Sequence, residues 1–479
     1  MNDLLKHPVF RIISDVVTEE CVEAYAIGGY VRDALMGRKS NDIDVMVVGS
    51  GIGVAEKVSA RIKGHPRVAV FRNFGTAMLH YGHDEIEFVG ARRESYDRRS
   101  RNPIVEDGTF DDDLRRRDFT VNTLAVSLSR NDYGRLVDTF GGLEDLHRGI
   151  LRTPLEPDTT FSDDPLRMLR AVRFAAQLGF TIEEATFQAI VRNRDRMEIV
   201  SVERITEELN KMLSTRQPSV AFHLLDQSGL LPLILPEISR LKGVEVRQNK
   251  AHKDVFKHTL QVLDGVAQHS DNLWLRWTAL LHDVAKPSTK RFIPEVGWSF
   301  HGHEFLGSKM IPGIFKRMHL PLAEPMKYVQ KLVLLHLRPI ALAEEVTDSA
   351  VRRLLFEAGD DIDDLMILCN ADITSRNEEK VRHFMENYEL VKQKLKEIEE
   401  KDAIRNFQPP VTGDEIMETF GIGPSHAIGV IKTAIKDAIL DGVIPNEHEA
   451  ARRLMLEEGA RLGLSPLPRK GGSSPGESL

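Results

Sequence analysis

The chain has 479 residues, 42% of them hydrophobic and 28% charged, with a formal net charge of −8. Such a length supports three or four domains with their own cores, and the acidic balance excludes a molecule drawn as a whole to nucleic acid, which must instead find a local basic surface. Cys21 and Cys369 are too far apart in sequence to form a disulfide framework, no run reaches the length of a membrane span, and Met1 to Pro8 holds no apolar leader segment, so the expected compartment is the cytoplasm.

Residues 1–145 alternate short apolar strands with helical patterns, which reads as a compact α/β head. Tyr25-Ala26-Ile27 reads as a strand that turns at Gly28-Gly29 into a helix beginning near Tyr30. Glycine without a Cβ lets a triphosphate approach the backbone, and a helix start offers it unpaired N–H groups. The run Asn41-Asp42-Ile43-Asp44-Val45-Met46-Val47-Val48 follows. With the period of two of a strand, Asp42 and Asp44 share one face while Ile43, Val45 and Val47 take the other. Carboxylates about 7 Å apart along a strand can share two Mg²⁺ ions roughly 3.5 to 4 Å apart, the arrangement of in-line phosphoryl displacement. In order and spacing, the glycine turn and the two acids resemble the nucleotidyltransferase head of the class II tRNA nucleotidyltransferase and bacterial poly(A) polymerase family.

A third acid comes from Asp84-Glu85-Ile86-Glu87-Phe88-Val89, whose alternation puts Glu85 and Glu87 on one face. The family pattern of a strand acid, a short apolar stretch and an Arg favours Glu87, ahead of Arg92, with Glu85 as the alternative. Arg92, Arg93, Arg98, Arg99 and Arg101, then Arg115, Arg116 and Arg117, form a basic region. Mixed with Glu94, Asp97 and Asp111 to Asp113, it reads on charge alone as a solvated surface, while its place beside the candidate site points to phosphate contacts. Arg116-Arg117-Asp118-Phe119-Thr120-Val121-Asn122 resembles the family's Arg-Arg-Asp motif. That resemblance implies Arg117 on phosphate and Asp118 and Asn122 on ribose, chemistry that suits a guanidinium fork and polar acceptors.

Beyond residue 145 the pattern turns helical, with Leu166, Leu169, Val172, Phe174 and Leu178 recurring at three and four. Asp163-Asp164-Pro165-Leu166-Arg167 to Phe174 resembles the family's base-reading helix, which implies Asp164 and Arg167 as readers on one helical face. The resemblance extends nucleotide contacts to Gly28, Gly29, Arg32, Arg170 and Arg173. A carboxylate beside a guanidinium matches the amino group and ring nitrogen of cytosine or adenine, whereas uracil and guanine aim a carbonyl at the carboxylate. CTP and ATP are the implied nucleotides. Glu203 to Glu208 resembles a neck motif that orients the head, an exposed intrahelical charge pair being the alternative. Pro232 and Pro236 are expected to break the helical pattern.

From about His252 to Arg376 the set His258, His282-Asp283, His301, His303, His336 and Asp372 resembles the HD phosphohydrolase domain. It implies a divalent metal of unidentified kind on His258, His282, Asp283 and Asp372, a second ion on His303 and His336, and Lys286 near a substrate phosphate. Phosphatase or 2′,3′-cyclic phosphodiesterase activity would follow. Glu378 to Lys401 reads as a polar spacer helix, Asn406 to Pro410 marks a boundary, and Gly413 to Ile431 resembles the module that docks on the tRNA elbow.

The colinear series from Val22 to Asn446 implies an α+β protein, an N-terminal α/β nucleotidyltransferase head followed by an all-α neck, HD body and tail. The expected limits are 1–145 for the head, 146–240 for the neck, 241–385 for the HD domain, 386–465 for spacer and tail, and 466–479 for a disordered end. The implied reaction is template-independent addition of CMP and AMP to the 3′ end of tRNA, with Asp42, Asp44 and Glu87 catalytic and Mg²⁺ on Asp42 and Asp44. No membrane and no protein partner is implied. Poly(A) polymerase is the alternative within this chemistry. Against it stand the intact histidine set and the scarcity of positive charge after Arg461, where Arg469 and Lys470 are alone. An HD phosphohydrolase with a nucleotide-sensing head is the alternative from another class.

Overall fold

The computed structural model describes residues 4–72, 75–95, 104–247, 250–251, 254–342, 347–373, 378–402 and 408–467. Asp97, Arg98, Arg99, Arg101, His252, Arg376, Asn406, Phe407 and residues 468–479 lie outside them. Backbone contacts divide the chain into one unit of Met1–Lys242 with Arg317–Leu320 and another of Gly243–Lys316 with Pro321–Leu479. The architecture is α+β, a sheet-containing head followed by helices.

The first unit opens with α1 (Val9–Glu19), β1 (Ala24–Ile27), α2 (Gly29–Leu35), β2 (Asp42–Val47) and α3 (Gly51–Arg61). It continues through β3 (Ala69–Phe71), β4 (Thr76–Tyr81), β5 (Asp84–Gly90), the hairpin β6 (Arg92–Ser95) and β7 (Ile104–Asp107), α4 (Phe110–Arg115), β8 (Ala125–Ser127) and β9 (Leu136–Val137). Seven strands form one sheet in the order β3-β4-β5-β2-β1-β8-β9. Within it β2 and β5 run parallel, a pairing that needs a crossover. Helix α3 lies on that crossover and packs against β4 and β5. Its first residue, Gly51, approaches so closely that a Cβ there would lie 2.9 Å from the Gly90 backbone nitrogen.

Alternation decides the two faces of the sheet. Ile43, Val45, Val47, Ile86 and Phe88 are buried on one. On the other, Met46 joins a cluster with Tyr25, Ile27, Leu114 and Ala125, while Asp42 and Asp44 stand toward the open end of the same face.

Next come α5 (Gly142–Arg148), β10 (Ile150–Leu151), α6 (Pro157–Asp163), α7 (Leu166–Leu178), β11 (Thr181–Ile182), α8 (Glu184–Asn193), α9 (Val202–Leu213) and α10 (Ser219–Gln227). Two short helices, α11 (Leu231–Ile234) and α12 (Pro236–Ser239), close the run. Pro232 and Pro236 therefore stand in first turns, where proline's missing N–H costs nothing, rather than simply breaking helices. Arg317–Leu320 joins this unit: the Thr206 hydroxyl donates to the Met318 carbonyl at 2.6 Å and His319 meets Glu203 at 2.7 Å.

The second unit holds β12 (Val246–Arg247), β13 (Lys250–Ala251), α13 (Val255–His269), α14 (Leu273–Leu281), α15 (Lys286–Thr289), β14 (Arg291–Ile293), β15 (Gly297–Ser299), α16 (His303–Arg317) and α17 (Glu324–Leu335). It ends with α18 (Arg338–Leu342), α19 (Asp348–Ala358), α20 (Ile362–Asp372), α21 (Glu378–Asp402), α22 (Gly413–Phe420), α23 (His426–Leu440) and α24 (His448–Arg461). Helix α14 is the centre: Leu275 through Leu281 are buried, with α13, α17 and α20 packed around it. The polar helix α21, expected as a spacer, also carries an apolar stripe. Tyr388, Val391, Leu395 and Ile398, at helical spacing, are buried and the helix packs on α19. Among the described residues no helix is long and apolar enough to cross a membrane.

Candidate functional site

In the head, the parallel register sets Asp42 beside Glu85 and Asp44 beside Glu87, so four carboxylates project from one face of two adjacent strands. Gly28 lies opposite, with φ of 72°, a conformation that side chains resist. A Cβ there would sit 3.3 Å from Asp44 Oδ2 and 3.2 Å from Arg117 Nη1, so glycine leaves the corner in which acid and guanidinium converge. The all-oxygen set suits a hard divalent cation.

Burial is the main force pushing the Asp44 carboxyl up to about 6, with Glu87 and Asp42 adding to it and Arg117 and Arg32 opposing. Burial also raises Glu87, followed by the charge of Glu85. The folded state thus holds the Asp44 proton more tightly than the unfolded chain does. Its stabilising contribution is full below the ordinary carboxylate pKa and is lost as pH rises through about 6. A divalent cation bound at Asp44 would offset that loss, so added Mg²⁺ is expected to raise the melting temperature at about pH 7.5 and far less at about pH 5. The comparison is made against Asp44→Asn; equal shifts at both pH values in the two proteins contradict it.

A polar chain runs from the glycine turn to the helices. Arg32 Nη1 donates to Asn122 Oδ1 at 2.7 Å, Asn122 Nδ2 to Asp118 Oδ1 at 2.9 Å, and Arg170 Nε to Asp118 Oδ2 at 2.8 Å. Burial opposes the Asp118 charge, but Arg170 and the Asn122 amide outweigh it and hold the carboxyl at about 2. The Phe174 ring lies under Arg32, Arg170 and Arg173 at 5.0, 5.3 and 4.0 Å. Arg173 Nε in turn donates to buried Glu208 of α9 at 2.6 Å.

Asp164 is not on the helix that follows it. Pro165 pushes the residue before it toward extended backbone (φ −133°, ψ 98°), so Asp164 lies in the link between α6 and α7, 3.7 Å from Arg204. Arg167 is buried, its Nη2 donating to the Arg116 carbonyl at 2.5 Å and its Nη1 to that of Thr160 at 3.4 Å. In the neck segment Glu203 and Arg204 reach outside their helix, to His319 at 2.7 Å and Asp164 at 3.7 Å, while Glu207 makes an exposed intrahelical pair with Lys211 at 2.7 Å.

The second unit gathers its ligands at helix ends. His282 follows α14, Asp372 ends α20, His303 starts α16 and His336 follows α17, while His258 faces them from α13. His258, His282 and Asp372 form one group and Asp283, His303 and His336 another, the ligand atoms of each lying within 4.8 Å. Asp283 joins the two: Oδ2 is 3.3 Å from His282 Nε2 and 3.7 Å from His258 Nε2, and Oδ1 is 3.2 Å from His303 Nε2. His301 belongs to neither group.

His282, His303 and His336 each give their Nδ1–H to a carbonyl three residues upstream, at 2.8, 2.8 and 2.7 Å. That fixes the tautomer and turns each Nε2 lone pair inward. Buried His282 Nε2 and Asp283 Oδ1 have no hydrogen bond of adequate geometry, which is how atoms poised to ligate a cation stand. Protein charges alone give an uneven balance. Burial works against a charged His282, but Asp283 and Asp372 raise it to about 10, while burial and then the His282 charge bring His336 down to about 4. Against their own burial, the carboxyls of Asp283 and Asp372 are held far below the usual range, His282 acting by charge on Asp283 and the hydrogen bond from His258 on Asp372. Mixed nitrogen and oxygen donors fit divalent cations, which His258, His282 and Asp372 and, next to them, Asp283, His303 and His336 would hold.

A family profile described as "Poly A polymerase head domain" matches residues 24–152, one described as "Probable RNA and SrmB- binding site of polymerase A" matches 179–242, and "HD domain" matches 255–377. The A-adding tRNA nucleotidyltransferase of Deinococcus radiodurans is 31% identical over 439 residues, 89% of this chain and 94% of that protein. The chain belongs to the tRNA nucleotidyltransferase and poly(A) polymerase family. A multifunctional CCA protein of Pseudomonas fluorescens is 35% identical over 313 residues, 62% of this chain and 70% of its own. In fold, this family member resembles the Bacillus stearothermophilus CCA-adding enzyme in complex with CTP, with a TM-score of 0.67 at 24% identity over 95% of this chain and 99% of that one.

For a nucleotidyltransferase of this family, the structure draws Gly28, Asp44 and Arg117 into one corner and Arg32, Asn122, Asp118, Arg170 and Arg173 into one network. Among the described residues the head carboxylates form no cluster as tight as the two histidine groups; they are brought together by strand register. The reading of Asp111 to Asp113 as solvated surface fails at Asp113, which is fully buried. Its signal lay in the sequence as an acid three and four residues before Arg116 and Arg117. Glu208 and the ring of Phe174 were visible only as part of a neck motif and of an apolar stripe.

Proposed function

We propose that the chain adds CMP and AMP, without a template, to the 3′ end of tRNA in the cytoplasm. The observation that carries this is the corner at Gly28, where Asp44 and Arg117 converge beside the in-register Glu87. Asp42 and Asp44, with Glu87 as the third acid, would hold Mg²⁺, which when bound lowers the pKa of the attacking hydroxyl and neutralises charge on the leaving pyrophosphate. Arg117 and the Gly28-Gly29 backbone hold the triphosphate so that the primer 3′-hydroxyl meets the α-phosphorus in line. Asp118 and Asn122 receive the ribose, their orientation fixed by Arg170 and Arg32. Asp164, steadied by Arg204, and Arg167 read the base edge.

Good bidentate base recognition is worth about 1–3 kcal/mol. Asp164→Asn offers an amide in place of the obligate acceptor, so preference for CTP and ATP over UTP is expected to fall on the order of 10-fold in competition assays. Unchanged preference would remove Asp164 from base reading. The overall function is tested by incubating tRNA lacking its 3′ end with labelled CTP, ATP and both. Three added nucleotides support the proposal, a long A tail makes the chain a poly(A) polymerase, and no incorporation favours a nucleotide-sensing head. A second reading, addition of the terminal A alone, is favoured by the likeness to the Deinococcus radiodurans A-adding protein; tRNA ending in CC, but not tRNA lacking all three, would then be extended.

At the histidine site His258, His282, Asp283, Asp372, His303 and His336 would hold divalent metal, which supplies an activated water for phosphoester hydrolysis. Lys286, 2.6 Å from Asp283 Oδ2, places a cation where a substrate phosphate approaches. The expected activity is removal of terminal or 2′,3′-cyclic phosphate from RNA ends. The tail from α22 to α24, with Thr412 capping its first helix and Gly421 ending it in the left-handed conformation, is assigned to tRNA docking.

A further inference from the structure

The run Asp111-Asp112-Asp113-Leu114-Arg115-Arg116-Arg117 uses its three acids in three ways. Asp111 is exposed. Asp112 forms a capping box with Thr109 at the start of α4. Asp113 is fully buried, and both of its oxygens are taken by arginine forks. Oδ1 accepts from Arg116 Nε and Nη2 at 2.8 and 2.6 Å, and Oδ2 from Arg117 Nε and Nη2 at 3.2 and 3.1 Å.

Because Arg117 meets Asp113 through its Nε–Nη2 edge, its Nη1 points the other way, to the Gly28 turn, 3.2 Å from where a Cβ would stand. Arg116 is pinned through its guanidinium by the other oxygen, and its main-chain carbonyl accepts from Arg167 Nη2 at 2.5 Å. One carboxylate therefore holds the side chains of two consecutive arginines, so that the segment whose Arg116 carbonyl meets Arg167 at the base end is clamped beside the Arg117 guanidinium aimed at the phosphate end. We propose that Asp113 is a positioning residue for nucleotide selection, keeping the triphosphate contact of Arg117 in register with the base contact of Arg167. The proposal rests on the reading of the head as a nucleotidyltransferase.

Asp113→Asn keeps the shape and removes the charge. It is expected to lower kcat/KM for CTP and ATP on the order of 10- to 100-fold, the cost of a misplaced positioning group, and to narrow discrimination against UTP. Asp113→Glu, which restores the charge, recovers a larger part of that discrimination, and Asp111→Asn matches the wild type. In a double-mutant cycle Asp113→Asn adds little to the loss caused by Arg117→Gln, because it acts through the same guanidinium. A merely structural role lowers the melting temperature and the active fraction but leaves selectivity untouched. Should Asp113→Asn fail to fold, Arg116→Gln, which opens the same clamp from the other side, must relax selectivity. Wild-type selectivity in Asp113→Asn or, where that variant does not fold, in Arg116→Gln overturns the proposal, as does full additivity with Arg117→Gln. Absence of incorporation by the wild type refutes the underlying reading instead.

Discussion

Asp44→Asn is expected to lower nucleotide incorporation on the order of 1,000-fold or more, because loss of a charged oxygen ligand removes several kcal/mol of transition-state charge stabilisation. The same change is expected to stabilise the cation-free protein. With its carboxyl held near 6, the ionised side chain opposes folding at neutral pH by on the order of 3 kcal/mol, and the neutral amide does not. An inactive protein that melts a few degrees higher without Mg²⁺ is the signature of a residue kept for function at a cost in stability. Incorporation by the variant at more than about a tenth of the wild-type rate would contradict the assignment. So would a fall in melting temperature that accounts for the lost activity.

Asp283→Asn carries the second large effect, on the other unit. Both groups of ligands meet at this carboxylate, each oxygen facing different histidines. The purified variant is expected to lose nearly all the divalent metal that elemental analysis finds in the wild type, along with any phosphohydrolase activity, since ligand loss in a shared site is felt by both positions. His336→Ala, outside the His258, His282 and Asp372 group, should retain part of the metal. Incorporation should stay within about twofold of wild type in Asp283→Asn, as expected for sites in separate units that share no ligands. Equal loss of incorporation and metal would tie the two centres into one.

The contrast between what was legible and what was not follows from range. Period-two alternation exposed Asp42, Asp44, Glu85 and Glu87 because it is a local property of a strand. Which of the last two adjoins Asp44 depended on a parallel pairing between segments some forty residues apart, and the register assigns that place to Glu87. The histidine ligands could be named from their order, yet the sharing of Asp283 between two groups arises only when α13, α14, α17 and α20 pack. Composition misled at Asp113, where a run of charges suggested solvent and folding buried the one acid that two arginines could satisfy. It misled again at α21, whose Glu and Lys face hid the stripe of Tyr388, Val391, Leu395 and Ile398. Asp164 left its expected helical face for a local reason, the constraint that Pro165 places on its neighbour.

A structure determined with CTP, Mg²⁺ and a tRNA 3′ end bears most directly on the head. It should show the Asp42 and Asp44 carboxylates in contact with cations on the triphosphate, Glu87 beside them and Arg117 on phosphate oxygens at the Gly28 turn. A nucleotide bound elsewhere, or bound there with those two carboxylates directed away from it, would contradict the account.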